Sequence, residues 1–206
     1  LDAIIAPDAG AAYEGALPPV PFAEAIRRAP RTLRIGFSAS SAINAHPDRE
    51  AVLALEAAAS LLSELGHEVE EVSPPHDDEA LARDFLTIWF AQLYGQIVDA
   101  KRRFGSPDRH FEADSLAAAE LGRAAGIRPL IEAVTNINAH TRALARFHET
   151  HDIFLTPTLA QPPLAVGALD SSRALQRAAR VVSRTRSGKL LAASGVLDQI
   201  ISENLS

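Results

Sequence analysis

"LRIGFSASSAINAHPDREAVLALEAAASLLSELGHEVEEVSPP", residues 33–75, sets two short apolar stretches on either side of one long helical pattern. "LRIGFS" (33–38) alternates apolar and small or polar residues and runs into polar "SASS", which predicts a strand. In "HPDREAVLALEAAASLLSELG", Pro47 suits a first turn, Asp48 and Glu50 favour the positive helix end, and Gly66 suits the stop. Val52, Leu55, Ala59, Leu62 and Leu65 recur at three- and four-residue spacing and make one apolar face. Burying each of the larger ones contributes about 1.5–3 kcal/mol. "HEVEEV" (67–72) predicts a second strand, ended by Pro74 and Pro75. Strand, helix and strand with such short joints predict a right-handed βαβ unit over 33–72, with parallel strands.

The chain extends this unit on both sides. Residues 1–32 mix small residues with prolines and read as a linker carrying a short helix around Ala23–Arg28. Residues 77–150 read as a helical region. Its first helix is expected over Asp77–Phe104, with Leu81, Phe85, Ile88, Trp89, Gln92 and Ile97 near one side. Two further helices are expected near Ser115–Ala125 and Pro129–Thr150. Residues 151–170 read as a strand and loop, and 171–206 as two helices broken at Gly188. Residues 33–206 thus predict one α/β domain.

Composition narrows the function classes. Of 206 residues, 47% are hydrophobic, enough for a sizeable core. There are 26 acidic residues against 20 basic ones, a net charge of −6, and the arginines are dispersed along the sequence. Nucleic acid is therefore not an expected partner. No apolar run approaches about 18 residues, so no membrane span is expected. Cysteine is absent, which fits a reducing cytoplasm. Methionine is absent too and the chain opens on Leu1, which reads as an excerpt of a longer protein.

No self-sufficient catalytic constellation is visible. His140, His148 and His151 gather near one helix end, but "HETH" lacks the HExxH spacing of a zinc protease, and the helix dipole explains them. "HDDEA" (76–80) groups carboxylates, but it also opens a helix, where Asp77 or Asp78 can cap free amides. The serine pairs Ser40–Ser41 and Ser171–Ser172 have no G-x-S-x-G or S-x-x-K setting. The only lysines are Lys101 and Lys189. Phe85, Trp89, Phe90 and Tyr94 at helical spacing read first as core packing, and otherwise as the apolar wall of a ligand pocket.

One loop invites a functional reading. "HDIFLTPTLAQPP" (151–163) starts as a buried strand and ends as a stiff proline loop carrying Thr156, Thr158 and Gln161. Ligands of open α/β sheets sit outside the carboxyl ends of strands. Taken locally, the stretch is also what a strand leaving through a surface loop looks like.

Three stretches together resemble the amidase signature family, especially its bacterial aryl-acyl and cyclic-dimer amidase branch. They are residues 33–75 quoted above, "FLTIWFAQ" (85–92) with "FEADSLAAAELGRA" (111–124), and "HDIFLTPTLAQPPLAVGALD" (151–170). "LDAIIAPDAG" (1–10) resembles the family's linker as well. The resemblance implies part of the amidase-signature fold, with a mixed central sheet flanked by helices. It implies hydrolysis of a small-molecule carboxylic amide through a serine acyl-enzyme, with no metal or organic cofactor, and leaves room for a homodimer.

Family members use two serines and a lysine that precede the linker, so no catalytic residue is expected within this chain. The expected section is then the C-terminal half of such an enzyme, cut at both ends. Its expected contribution is scaffold and part of the substrate wall, with Thr156, Thr158, Gln161 and Trp89 as substrate-binding candidates. Two other classes remain in view: a non-catalytic α/β binding or scaffold module derived from an amidase, and an aminoacyl-tRNA amidotransferase subunit.

Overall fold

The computed structural model describes residues 1–5, 10, 16–41, 46–168 and 173–188. The chain divides into two compact units, Leu1–Leu33 and Arg34–Ser206. In the first, helix α1 (Phe22–Ala25) is short. The Asp2 carboxylate accepts the backbone N–H of Phe22 at 2.7 Å and of Ala23 at 2.8 Å, satisfying two donors of a first turn. The helix expected to reach Arg28 stops at Ala25. Beyond it Arg27 and Arg28 donate to carbonyls three residues back, at 3.1 Å each, which tightens the chain out of α geometry.

In the second unit three strands, β1 (Arg34–Phe37), β2 (Glu68–Glu71) and β3 (Ile153–Leu155), form a sheet in the order β2-β1-β3. Both pairings are parallel. Ile35 is in register with Val69 on one side and Ile153 on the other. The expected strand–helix–strand unit is therefore present in an α/β fold, and the three described strands are parallel. Central β1 carries the fully buried Ile35. On β2, Glu68, Glu70 and Glu71 are exposed; carboxylates on such an edge discourage pairing with another chain.

Helix α2 (Arg49–Glu64) joins β1 to β2. Asp48 is its N-cap and accepts the Glu50 N–H at 2.8 Å, so Pro47 lies before the helix and not in its first turn. Leu55 and Ala59 are buried, while Leu65, expected on the same face, is the exposed C-cap. The face ends where the helix does.

Four more helices follow: α3 (Asp78–Phe104), α4 (Ala113–Ala125), α5 (Ile127–Phe147) and α6 (Arg173–Thr185), with a 3₁₀ turn at Asp108–His110. Asp77 caps α3 by accepting the Ala80 N–H at 2.9 Å. Gly105, at φ 61°, closes the same helix in the left-handed region that glycine adopts without penalty. Helix α5 begins two residues before Pro129, because a first-turn proline gives up only an N–H that would have no helical partner. The second of the two expected C-terminal helices lies outside the described residues.

The buried side of α3 differs from the expected one. Phe90 and Ile97 are buried, with Leu93 packed in the same cluster, whereas Phe85 and Trp89 are about half exposed and stack on each other at 6.3 Å. Gly122 decides this. A Cβ at that position would stand 2.1 Å from the Phe90 carbonyl oxygen, so glycine lets α4 meet α3 backbone to backbone there. Ile97, Leu116, Ala119 and Phe111 fill the adjoining seam.

Helix α6 is held to α4 by a buried carboxylate. Glu120 accepts from Arg123 Nε at 2.7 Å and Nη2 at 2.6 Å, and from the Gly188 N–H at 3.1 Å. Arg123 also donates to the Arg186 carbonyl at 3.1 Å. The Arg123 hydrogen bonds hold the Glu120 carboxyl below its ordinary range against the opposing effect of burial; the Gly188 N–H and the Arg186 charge add to the lowering.

Candidate functional site

Each parallel strand ends toward the same side, and the chain following each strand contributes to one cavity. Its volume is about 680 Å³. Ser38, Ser40 and Ser41 follow β1, Pro74 and His76 follow β2, and Thr156 and Pro157 follow β3. Leu81, Ala82, Phe85 and Leu86 of α3 supply an apolar wall, joined by Phe154 of β3. A parallel sheet places all its carboxyl ends together, which is why such sites form there.

Backbone bonds fix the rim. The Ser38 N–H donates to Leu155 O at 3.1 Å, continuing the β1–β3 ladder one residue past the strands. The Asp48 N–H donates to Ala160 O at 2.8 Å and ties the start of α2 to the proline loop. The Ser38 and Ser40 hydroxyls lie 2.9 Å apart, and Ser38 Oγ accepts the Ser40 N–H at 3.2 Å. Ser38 is buried, so its hydroxyl is committed locally and braces the loop after β1. His76 Nε2 stands 2.8 Å from Asp78 Oδ1, and both side chains line the cavity at 22% and 13% exposure.

The arrangement offers an apolar trough with hydroxyl and imidazole groups along one edge. That suits a ligand with a hydrocarbon body and few polar atoms. Among the sequence candidates, Thr156 lines the cavity. Trp89 stands one helical turn along from Phe85, stacked on it outside the lining. Thr158 and Gln161 are exposed on the proline loop beyond Pro157, also outside the lining.

In the sequence "HDDEA" reads as a helix cap, Ser40–Ser41 lack a nucleophile setting and Ser38 draws no notice; His76, Asp78 and all three serines nevertheless line the cavity. Their signal was available. The strand-end rule that drew attention to Thr156 applies equally to the residues after β1 and β2 once the strands are parallel. Asp77 takes the capping role, which leaves Asp78 to face His76.

Of the three clustered histidines, His140 parts from the other two, while His148 and His151 stay in contact. His140 Nε2 lies 3.1 Å from Asp84 Oδ2, His151 Nε2 lies 2.9 Å from Glu70 Oε1, and His148 Nδ1 lies 3.1 Å from His151 O. Among the described residues no group of three or more histidines and carboxylates could hold a metal ion. Lys101 pairs with Asp108 at 2.5 Å, away from the cavity, and Lys189 lies outside the described residues.

The fold and cavity define an α/β protein with a strand-end pocket of the small-ligand type. The amidase family profile matches residues 1–186, and the chain belongs to the amidase family. It is 35% identical over 114 residues to "Putative amidase AmiC" of Mycobacterium tuberculosis (strain ATCC 25618 / H37Rv), and equally to that of Mycobacterium bovis. Those alignments cover 54% of this chain and 24% of the relatives, so the chain spans about a quarter of their length in them.

Among solved structures it resembles 6-aminohexanoate cyclic dimer hydrolase, at TM-score 0.66 and 20% identity, over 88% of this chain and 41% of that one. The same hydrolase complexed with its substrate matches at TM-score 0.66 and 21% identity. At such identities the likeness establishes the fold. No described helix is long and apolar enough to cross a membrane.

Proposed function

We propose that the intact protein hydrolyses a non-peptide carboxylic amide through a serine acyl-enzyme, and that this chain builds its scaffold and one wall of the acyl pocket. Family membership supports the reaction class. The observation that carries the pocket role is the cavity at the shared carboxyl ends of β1, β2 and β3, with its apolar α3 wall. A serine oxygen supplied outside this chain would attack the amide carbonyl, releasing the amine, and water would then release the acid. The chemistry needs no metal or organic cofactor. The proposed substrate is a small molecule, and the proposed compartment is the cytoplasm, in keeping with a cysteine-free sequence.

Within the pocket, Thr156 is assigned a polar contact to the substrate, and Trp89 is assigned the task of backing Phe85. Thr158 and Gln161 are assigned to the mouth, where the proline loop holds the backbone extended. The test is a kcat and KM survey of the full-length enzyme on anilides of increasing acyl length. Phe85→Ala and Thr156→Val should raise KM for the best substrate roughly tenfold while kcat moves less. Absence of amide hydrolysis by the wild type would overturn the reaction. Unchanged acyl-length preference in both variants would overturn the pocket role alone.

A further inference from the structure

We propose that a second hollow, between the 3₁₀ turn and α6, binds a tetrahedral oxyanion: inorganic phosphate or the phosphate end of a monoester. The hollow measures about 40 Å³ and is lined by Asp108, Arg109, Leu116, Arg180, Ser183 and Arg184. A single water needs about 10–15 Å³ of such volume, so the space suits one small anion and excludes a bulky group.

Charge selects the ligand's sign. Arg180 and Arg184 are one turn apart on α6 and share a face, and Arg109 joins them from the 3₁₀ turn. The one carboxylate of the lining, Asp108, is engaged by Lys101 at 2.5 Å. Three arginines therefore line the hollow, and no hydrogen bond or ion pair links any of their side chains to another described residue. In a chain of net charge −6, this is a local reversal of sign that would concentrate anions.

Geometry selects the ligand's shape. A planar carboxylate can be satisfied by one guanidinium fork, whereas three guanidinium groups from two elements, with the Ser183 hydroxyl, match the several oxygens of a tetrahedral anion. The floor is Leu116, at 5% exposure. The helix carrying Arg180 and Arg184 is anchored to α4 through Glu120, Arg123 and the Gly188 N–H. Two of the three arginines are thus mounted on a braced helix, which lowers the entropic cost of ordering them around a ligand.

Isothermal titration of the full-length protein with inorganic phosphate at low ionic strength should show one saturable site, weakened by added salt. Arg180→Ala and Arg184→Ala should each weaken it roughly tenfold, as expected for loss of a charge-assisted hydrogen bond. Arg177→Ala, on the same helix but outside the lining, should change it less than about twofold. Arg184→Lys keeps the charge without the fork and should fall between, giving a second reading if the alanine variant does not fold. Tighter binding of phenyl phosphate than of phosphate would assign the site to monoesters, and the reverse would assign it to the free ion. No saturable binding, or equal weakening by Arg177→Ala, would overturn the proposal.

Discussion

Helix α3 has two halves that share one apolar stripe and meet opposite fates. Ala82 and Leu86, in the first half, face the open cavity beside the sheet. Phe90, Leu93 and Ile97, continuing the same stripe at helical spacing, are covered by α4. The difference lies in the partner and not in the helix. Where Gly122 brings a second backbone into contact the stripe becomes core, and where the stripe faces the ends of the strands it becomes pocket wall. Hydrophobic patterning marks a surface as fit for burial without saying what buries it.

The sharpest way to break that contrast is at the closed half. Gly122→Ala would set a methyl carbon into the Phe90 carbonyl and the Ala91 amide, both backbone atoms that cannot rotate away. The helices must separate, and urea titration should show a loss of about 3 kcal/mol. Equal stability would mean that α4 does not approach α3 as closely as the structure shows.

A smaller effect is expected at the buried carboxylate behind the seam. Glu120→Gln keeps the shape but loses the charge that Arg123 and the Gly188 N–H solvate, costing about 2 kcal/mol at neutral pH. The folded Glu120 carboxyl titrates below its ordinary 4.5. Its contribution is therefore complete above that pH and lost as the pH falls through the lower folded value. Melting temperature followed downward from pH 6 should fall less steeply in the Gln variant than in the wild type. Parallel curves would remove Glu120 from the acid response.

At the open half the expectation reverses. Phe85 is 57% exposed, so Phe85→Ala should cost only about 0.5 kcal/mol of stability while changing acyl-group preference. A loss comparable to that of Gly122→Ala would show that the cavity wall is core after all.

Much of the scaffold was legible because it rests on local rules. The strands at 34–37 and 68–71, the helix between them and the Asp77 cap all follow from short-range pattern and end chemistry. The face of α3 was not legible. Phe85, Trp89, Phe90 and Ile97 are all apolar, so periodicity alone permits more than one buried side, and a single glycine on another helix makes the choice. The site was half legible for a similar reason: Thr156 followed from one strand end, while His76, Asp78 and Ser38 needed the other two strands placed beside it.

The sequence by itself determined the parallel βαβ unit, the long helices from Asp78 to Phe147 and the resemblance to the amidase family, because periodicity, capping residues and motif order are properties of neighbours along the chain. Only the tertiary structure decided which strand ends share a cavity, which face of α3 is core, and that arginines more than seventy residues apart, such as Arg109 and Arg184, border one hollow. These depend on distances through space, fixed by backbone approach and burial, which no local pattern encodes.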